Sequence, residues 1–198
     1  MDASDTETLT RSQAARRDRV LRAALELGRE GGYDAVQMRE VATEAGVALG
    51  TIYRYFSSKD HLLAAALVSW VEDLERRVAA HPPVGSTTTE RVLSVLKRAH
   101  RAMEREPRLS EAVVTALVSP DAGAAECQKQ LTAVMTRTIA LGLDDDIDPV
   151  VRADLARTLG HVWFSSLVAW VNGWSSIGHV SDEVEIACHL MLDHLDAP

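Results

Sequence analysis

Residues 37–59 read QMREVATEAGVALGTIYRYFSSK, two short helical patterns on either side of one glycine. Met38, Val41 and Ala42 recur at helical spacing, and Ala45 ends the run. Gly46 supplies a residue that adopts positive φ at no steric cost, the usual way to stop a helix and turn the chain. Val47, Ile52 and Phe56 then form the inward face of a second helix. A helix, a glycine-bearing turn of about three residues and a second helix make the helix-turn-helix pattern. The outward face of the second helix carries Ala48, Gly50, Thr51, Tyr53, Arg54 and Tyr55. Small groups let the backbone approach a DNA groove, and the polar ones can donate hydrogen bonds to bases and phosphates.

The chain around this stretch has 198 residues, enough for one compact domain or two small ones. Its formal net charge is −8, which looks wrong for a DNA binder until it is divided. Residues 11–59 hold nine Lys and Arg against six Asp and Glu, whereas residues 61–198 hold 12 against 19. The asymmetry assigns phosphate contact to the first part alone. With only two cysteines, Cys127 and Cys188, the chain reads as a cytoplasmic protein with reduced, buried thiols. No run of about 20 apolar residues occurs, so no membrane span is expected. Residues 1–10 are polar and acidic, which argues against a signal peptide and for a disordered tail.

Outward from the opening stretch, every segment has helical period. Val20, Ala23, Ala24 and Leu27 give an apolar stripe to a first helix over residues 11–30, closed by Gly31 and Gly32. Its early arginines, Arg16 among them, oppose the helix dipole and suggest phosphate contact, with solvated charge as the alternative. Ser57 or Ser58 caps a long helix that Pro82 and Pro83 stop. Further helices are expected over residues 89–106, 109–118, 122–141 and 149–174. Gly173 to Gly178 breaks the pattern, and Ser181 caps a last helix over residues 182–195. The expectation is an all-α chain of about nine helices: a tail over 1–10, a three-helix helix-turn-helix domain over 11–60, and a larger helical ligand-binding and dimerisation domain over 61–198.

Val41, Ala42, Ala45, Gly46, Val47, Gly50, Ile52, Tyr53, Tyr55, Phe56 and Lys59 together resemble the DNA-binding motif of the TetR family of transcriptional regulators. Within it the chain resembles the actinobacterial repressors of cholesterol and steroid catabolism, most closely over residues 31–63 and more loosely over 101–125 and 162–170. The resemblance implies that residues 49–56 enter the major groove. It implies that Thr51 meets a base edge, Tyr53 and Tyr55 bind phosphates, and Arg54 reaches a phosphate or a guanine. Lys59 would touch the DNA backbone, and Gln37 and Arg39 would reach phosphate or base. Tyr53 has packing as its alternative and Lys59 has solvation.

One such module contacts too few phosphates for tight binding, so a homodimer on a palindromic operator is expected. The last two long helices are apolar on more than one face, through residues such as Leu155, Leu159, Val162, Val184 and Leu190, and are the expected interface, with a pocket wall as the alternative for the first of them. Met103, Leu109, Val113, Leu117, Met135, Trp163, Phe164, Leu167 and Trp170 are candidate lining residues of an effector pocket, although each also reads as plain bundle core. The resemblance implies a steroid-derived effector or its coenzyme A thioester, which releases the repressor from DNA. The thioester's phosphates would need basic residues such as Arg101, Arg105 and Arg108. A fatty acyl-CoA or a drug is the alternative effector.

An enzyme is the competing class. The seven histidines show no HExxH and no i, i+4 pair, and no G-x-S-x-G elbow or Gly-rich phosphate loop occurs. No metal, cofactor or catalytic residue is therefore expected.

Overall fold

A computed structural model describes residues 11–195 of the chain, so the tail expected over residues 1–10 lies outside the described residues. The described residues are all-α. Nine helices follow in order: α1 (Arg11–Ala35), α2 (Met38–Ala45), α3 (Leu49–Tyr55), α4 (Lys59–Ala80), α5 (Thr88–Arg105), α6 (Pro107–Leu117), α7 (Ala122–Ala140), α8 (Pro149–Val171) and α9 (Ile177–Leu192). A single 3-10 turn, Asp193–Leu195, closes the series.

Local chemistry accounts for most of the boundaries. Gly46 sits at φ 62 and ψ 43, the left-handed region, and its N–H returns to the carbonyls of Ala42 and Thr43. The turn between α2 and α3 therefore needs a residue without a Cβ penalty. Ser58 caps α4 by accepting the His61 N–H at 3.0 Å. Thr87 and Asp121 do the same for α5 and α7. Pro107 and Pro149 occupy first-turn positions of α6 and α8, where the missing N–H costs nothing. The first helix breaks at Gly32 (φ 69, ψ −157), and a further turn carries on to Ala35.

The junction between α8 and α9 differs most from the sequence pattern. α8 stops at Val171, short of residue 174, because Gly173 adopts φ 72. α9 starts at Ile177 and not at residue 182. Its cap is Ser176, whose hydroxyl accepts the His179 N–H at 3.3 Å, and not Ser181. Gly178 therefore lies in a first turn, where N–H groups lack helical partners and glycine does little harm.

Packing centres on α4. Its buried run from Leu62 to Val68 includes three consecutive alanines, and buried residues continue through Val71, Leu74 and Val78. A helix apolar most of the way round must be covered on several sides. α4 is covered by α7, α6 and α1, while α8 packs on α7 and α9, and α5 on α9. Val36, Val41, Ile52 and Phe56 tie α2 and α3 into the same core at 1% exposure or less.

One polar junction joins three elements. Tyr33, at the end of α1, donates its hydroxyl to Asp60 Oδ1 at 2.5 Å. Ser119, in the turn between α6 and α7, donates to Asp60 Oδ2 at 2.7 Å. Lys59 lies over the Tyr33 ring, 3.6 Å from its centroid, and donates to the Tyr33 carbonyl at 3.2 Å. Burial, reinforced by the bond to Asp60, pushes the Tyr33 phenol up to about 12 from an ordinary value of 10.0. A raised folded-state value means the neutral phenol stabilises fully below pH 10 and loses that effect as pH rises through about 12. Tyr33→Phe should lower stability by about 1.5 kcal/mol at neutral pH, the range for a hydrogen bond to a charged group. Thermal melts from pH 8 to 12 should then fall more steeply for the parent than for the variant. Parallel curves would show that Tyr33 does not carry this bond.

Candidate nucleic-acid interface and interior cavities

The α2–α3 pair presents its polar face outward. Ala48 and Gly50 are exposed, Tyr53 is 53% exposed, Arg54 is exposed, and Thr51 and Tyr55 are half-buried. The exposure of Tyr53 removes its packing alternative. Arg54 donates to the Tyr55 hydroxyl at 3.1 Å and stacks over that ring at 5.2 Å, so the two side chains hold each other in place. A Cβ built at Gly50 meets nothing within 4 Å, and Gly50 has no positive φ. Neither packing nor backbone conformation inside the chain requires glycine there.

The other expected contact residues divide. Arg16 and Arg39 are exposed on α1 and α2. Gln37 is exposed and donates its amide to the Asp34 carbonyl at 2.9 Å. Lys59 is turned inward onto Tyr33 and does not point away from the chain. Arg17 and Arg19 also serve the fold: Arg17 lies 5.5 Å over the Phe56 ring, and Arg19 Nε donates to the Ala45 carbonyl at 3.4 Å.

The interior behind this module is subdivided. Leu117, Met135, Trp163 and Phe164 border a cavity of about 60 Å³ between α6, α7 and α8. Met103 borders a second, of about 20 Å³, together with Trp163, Leu67 and Trp70. Trp163 also borders a third, of about 10 Å³, with His100 and Val184. Each of these three cavities is far smaller than the roughly 300–1,000 Å³ common for ligand sites, and Trp163 stands between them. Leu109, Val113, Leu167 and Trp170 border none of these three cavities. Leu109 belongs to the α1–α6 seam, where a Cβ at Gly28 would stand 2.7 Å from its Cδ1. Val113 and Leu167 are fully packed core, and Trp170 is half-buried at the core's edge.

A cleft of about 440 Å³ opens between α4 and α5. Leu74, Val78 and Ala102 are its apolar lining, and Arg77, Arg98, Arg101, Arg105 and His81 supply its polar groups. It shares Leu74, Arg77 and Ala102 with the 20 Å³ cavity. Arg108 is elsewhere, donating to the Glu30 carbonyl at 2.9 Å. Arg77 and Arg98 were not among the expected basic residues. Residues 98, 101 and 105 stand at i, i+3, i+7, a spacing that signals one helix face, but nothing in sequence pairs that face with α4.

Burial raises both thiols, Cys188 to about 12, so neither is a ready nucleophile. No group of three His, Cys, Asp or Glu among the described residues could hold a metal ion. No helix among the described residues is long and apolar enough to cross a membrane.

The sequence profile described as "Bacterial regulatory proteins, tetR family" matches residues 20–66, and "Tetracyclin repressor-like, C-terminal domain" matches residues 85–191, more than half the chain. The chain belongs to the TetR family of transcriptional regulators. Among TetR-family relatives, the HTH-type transcriptional repressor KstR of Rhodococcus jostii (strain RHA1) is 41% identical over 181 residues, covering 91% of this chain and 84% of that protein. KstR of Mycobacterium tuberculosis (strain ATCC 25618 / H37Rv) is 34% identical over 194 residues, covering 98% and 88%. The crystal structure of a TetR regulator from Rhodococcus sp. RHA1 superposes with a TM-score of 0.79 at 30% identity, covering 91% of this chain and 97% of that one. Thermus thermophilus FadR, a TetR-family repressor crystallised with lauroyl-CoA, shares the fold at a TM-score of 0.64 and 24% identity, covering 88% and 92%. TetR-family proteins are DNA-binding regulators, which decides against the enzyme class. Members of the family bind DNA and small-molecule effectors, typically as dimers.

Proposed function

We propose that this chain is a repressor that binds a palindromic operator as a homodimer. We propose further that a bulky hydrophobic effector, a steroid-derived metabolite or its coenzyme A thioester, releases it and so controls steroid and lipid catabolism. The observation that carries the effector reading is the arginine-lined cleft beside the Trp163 cavities. An apolar body inside and several anionic phosphates at a basic mouth are what such a thioester requires. Similarity to the KstR repressors favours a steroid acyl group. A fatty acyl-CoA is the second reading, favoured by the same arginines. An uncharged drug would leave them unused.

In this reading residues 11–60 read DNA and residues 61–198 sense the effector and dimerise. Thr51 meets a base edge, and Ala48 and Gly50 let α3 approach. Tyr53, Arg54, Tyr55, Arg16, Gln37 and Arg39 contact phosphate or base. Lys59 reaches the DNA backbone only by giving up Tyr33. The dimer face is the outer side of α8 and α9, where Val150, Ile186 and Leu190 are 59–79% exposed, with Trp174 in the turn between the two helices. Leu159 and Val184, two residues first assigned to that face, are buried within the chain instead. A second copy is the occupant this family's dimers supply. The effector acts by favouring a conformation in which α4 shifts and the two α3 helices no longer match the half-sites, and only its differential affinity for the two states can drive that shift.

The test is operator release followed by fluorescence anisotropy. A steroid-acid CoA thioester should release DNA at lower concentration than lauroyl-CoA or the free acid. Arg101→Glu with Arg105→Glu should weaken the thioester about tenfold or more, from two lost charge-assisted contacts, and weaken the free acid, which carries one charge and no phosphates, less. Equal responses of parent and variant would sink the thioester reading. Preference for lauroyl-CoA would replace the steroid with a fatty acyl group.

A further inference from the structure

Trp163 is 5% exposed, and its indole N–H has no hydrogen-bond partner. His100, 6% exposed on α5, borders the same 10 Å³ cavity, and neither of its ring nitrogens is hydrogen-bonded. Glu104 Oε1 lies 3.3 Å from His100 Nε2, but off hydrogen-bonding alignment. Buried polar groups are almost always paired, so two orphans at one void ask for an explanation.

The same side chain is also the partition. Trp163 is shared by the 60, 20 and 10 Å³ cavities, which together run from the α7–α8 side to the α4–α5 side, next to the arginine cleft. No sizeable ligand fits while the indole stays where it is. Trp70 borders the 20 Å³ cavity and also the groove between α4 and α1, so a guest at Trp163 would press on the helix that carries the DNA module.

We propose that Trp163 is the gate and the polar anchor of the effector site: its ring swings aside to admit an apolar molecule, and its indole N–H donates to one oxygen acceptor on that molecule, with His100 as a second polar contact. The ligand class is an elongated apolar body bearing a carbonyl or hydroxyl oxygen away from its anionic end. This rests on the effector reading above and adds the residue that selects for the oxygen.

The experiment uses the full-length protein without DNA, a ketosteroid, the matching deoxy steroid and lauroyl-CoA. Calorimetry measures binding, and the ¹⁵N-labelled indole resonance of Trp163, identified by its loss in Trp163→Phe, reports the N–H. The parent should prefer the ketosteroid about tenfold over the deoxy steroid, the worth of one buried hydrogen bond. The Trp163 resonance should move on ketosteroid binding. Trp163→Phe keeps the ring and should retain deoxy-steroid affinity while losing the preference. Ketosteroid binding with the Trp163 resonance unmoved overturns the proposal, and this readout needs only the parent protein. A preference that survives in Trp163→Phe overturns it as well. If neither steroid binds the parent but lauroyl-CoA does, the steroid reading falls, and Trp163 is judged by its resonance in the lauroyl-CoA complex. If none of the three binds, the effector reading fails and this inference fails with it.

Discussion

Gly50→Glu is expected to fold as the parent does and to lose specific operator binding. The residue is second in α3, and an added Cβ meets no atom of the chain within 4 Å. Replacing glycine in a helix gains up to about 1 kcal/mol. A carboxylate in the first turn gains a few tenths more from the helix dipole, about 0.3 kcal/mol. The thermal midpoint should therefore hold or rise. On DNA the same change puts a bulky anion on the face proposed to enter the major groove, against a wall of phosphates. Affinity should drop by about 100-fold or more, equivalent to about 2.8 kcal/mol. Anisotropy titration of a labelled operator checks this beside a circular-dichroism melt. Affinity within about threefold of the parent would remove the start of α3 from the interface.

Phe56→Ala attacks the same face from behind. Phe56 is 1% exposed, lies beneath the Arg17 guanidinium at 5.5 Å, and meets the His61 ring edge-on at 5.4 Å. Its N–H closes α3 on the Ile52 carbonyl at 2.9 Å. Truncating a buried phenylalanine removes transfer energy and leaves a cavity, costing about 3–5 kcal/mol. That is a large share of a domain's total stability of about 5–15 kcal/mol. Urea denaturation should show the loss, and DNA affinity should fall with it because α3 loses its seat. Phe56→Leu should recover more than half of the stability. A loss below about 1 kcal/mol for the alanine variant would mean that Phe56 does not anchor α3.

The two experiments probe the part of the chain that was easiest to read. Val41, Ala45, Gly46, Ile52 and Phe56 lie within 16 residues, so spacing alone fixes which face is inward and where the turn falls. The body resisted because its features join distant residues. Arg77 and Arg101 meet across a cleft only because α4 and α5 lie side by side. Leu109 looked like a pocket residue because its partner, Gly28, lies far away on α1. Ser176 and Ser181 are both plausible caps, and the choice between them depends on how the chain leaves α8. The division of the interior by Trp163 depends on one side-chain conformation, which no periodicity records. The proposed operator contacts and effector contacts accordingly rest on exposure, charge and cavity geometry.

Asp60 has a further consequence. One carboxylate accepts from Tyr33 at the end of α1 and from Ser119 in the turn between α6 and α7. In pharmacological terms, such a joint separates affinity from efficacy. On the proposed function, a change at Asp60 that loosens either bond would blunt the response an effector produces more than it weakens the effector's binding, turning a full inducer into a partial one. Ligands of equal affinity could then differ in how completely they switch genes on, and the difference would be set at a residue outside the proposed operator and effector contacts.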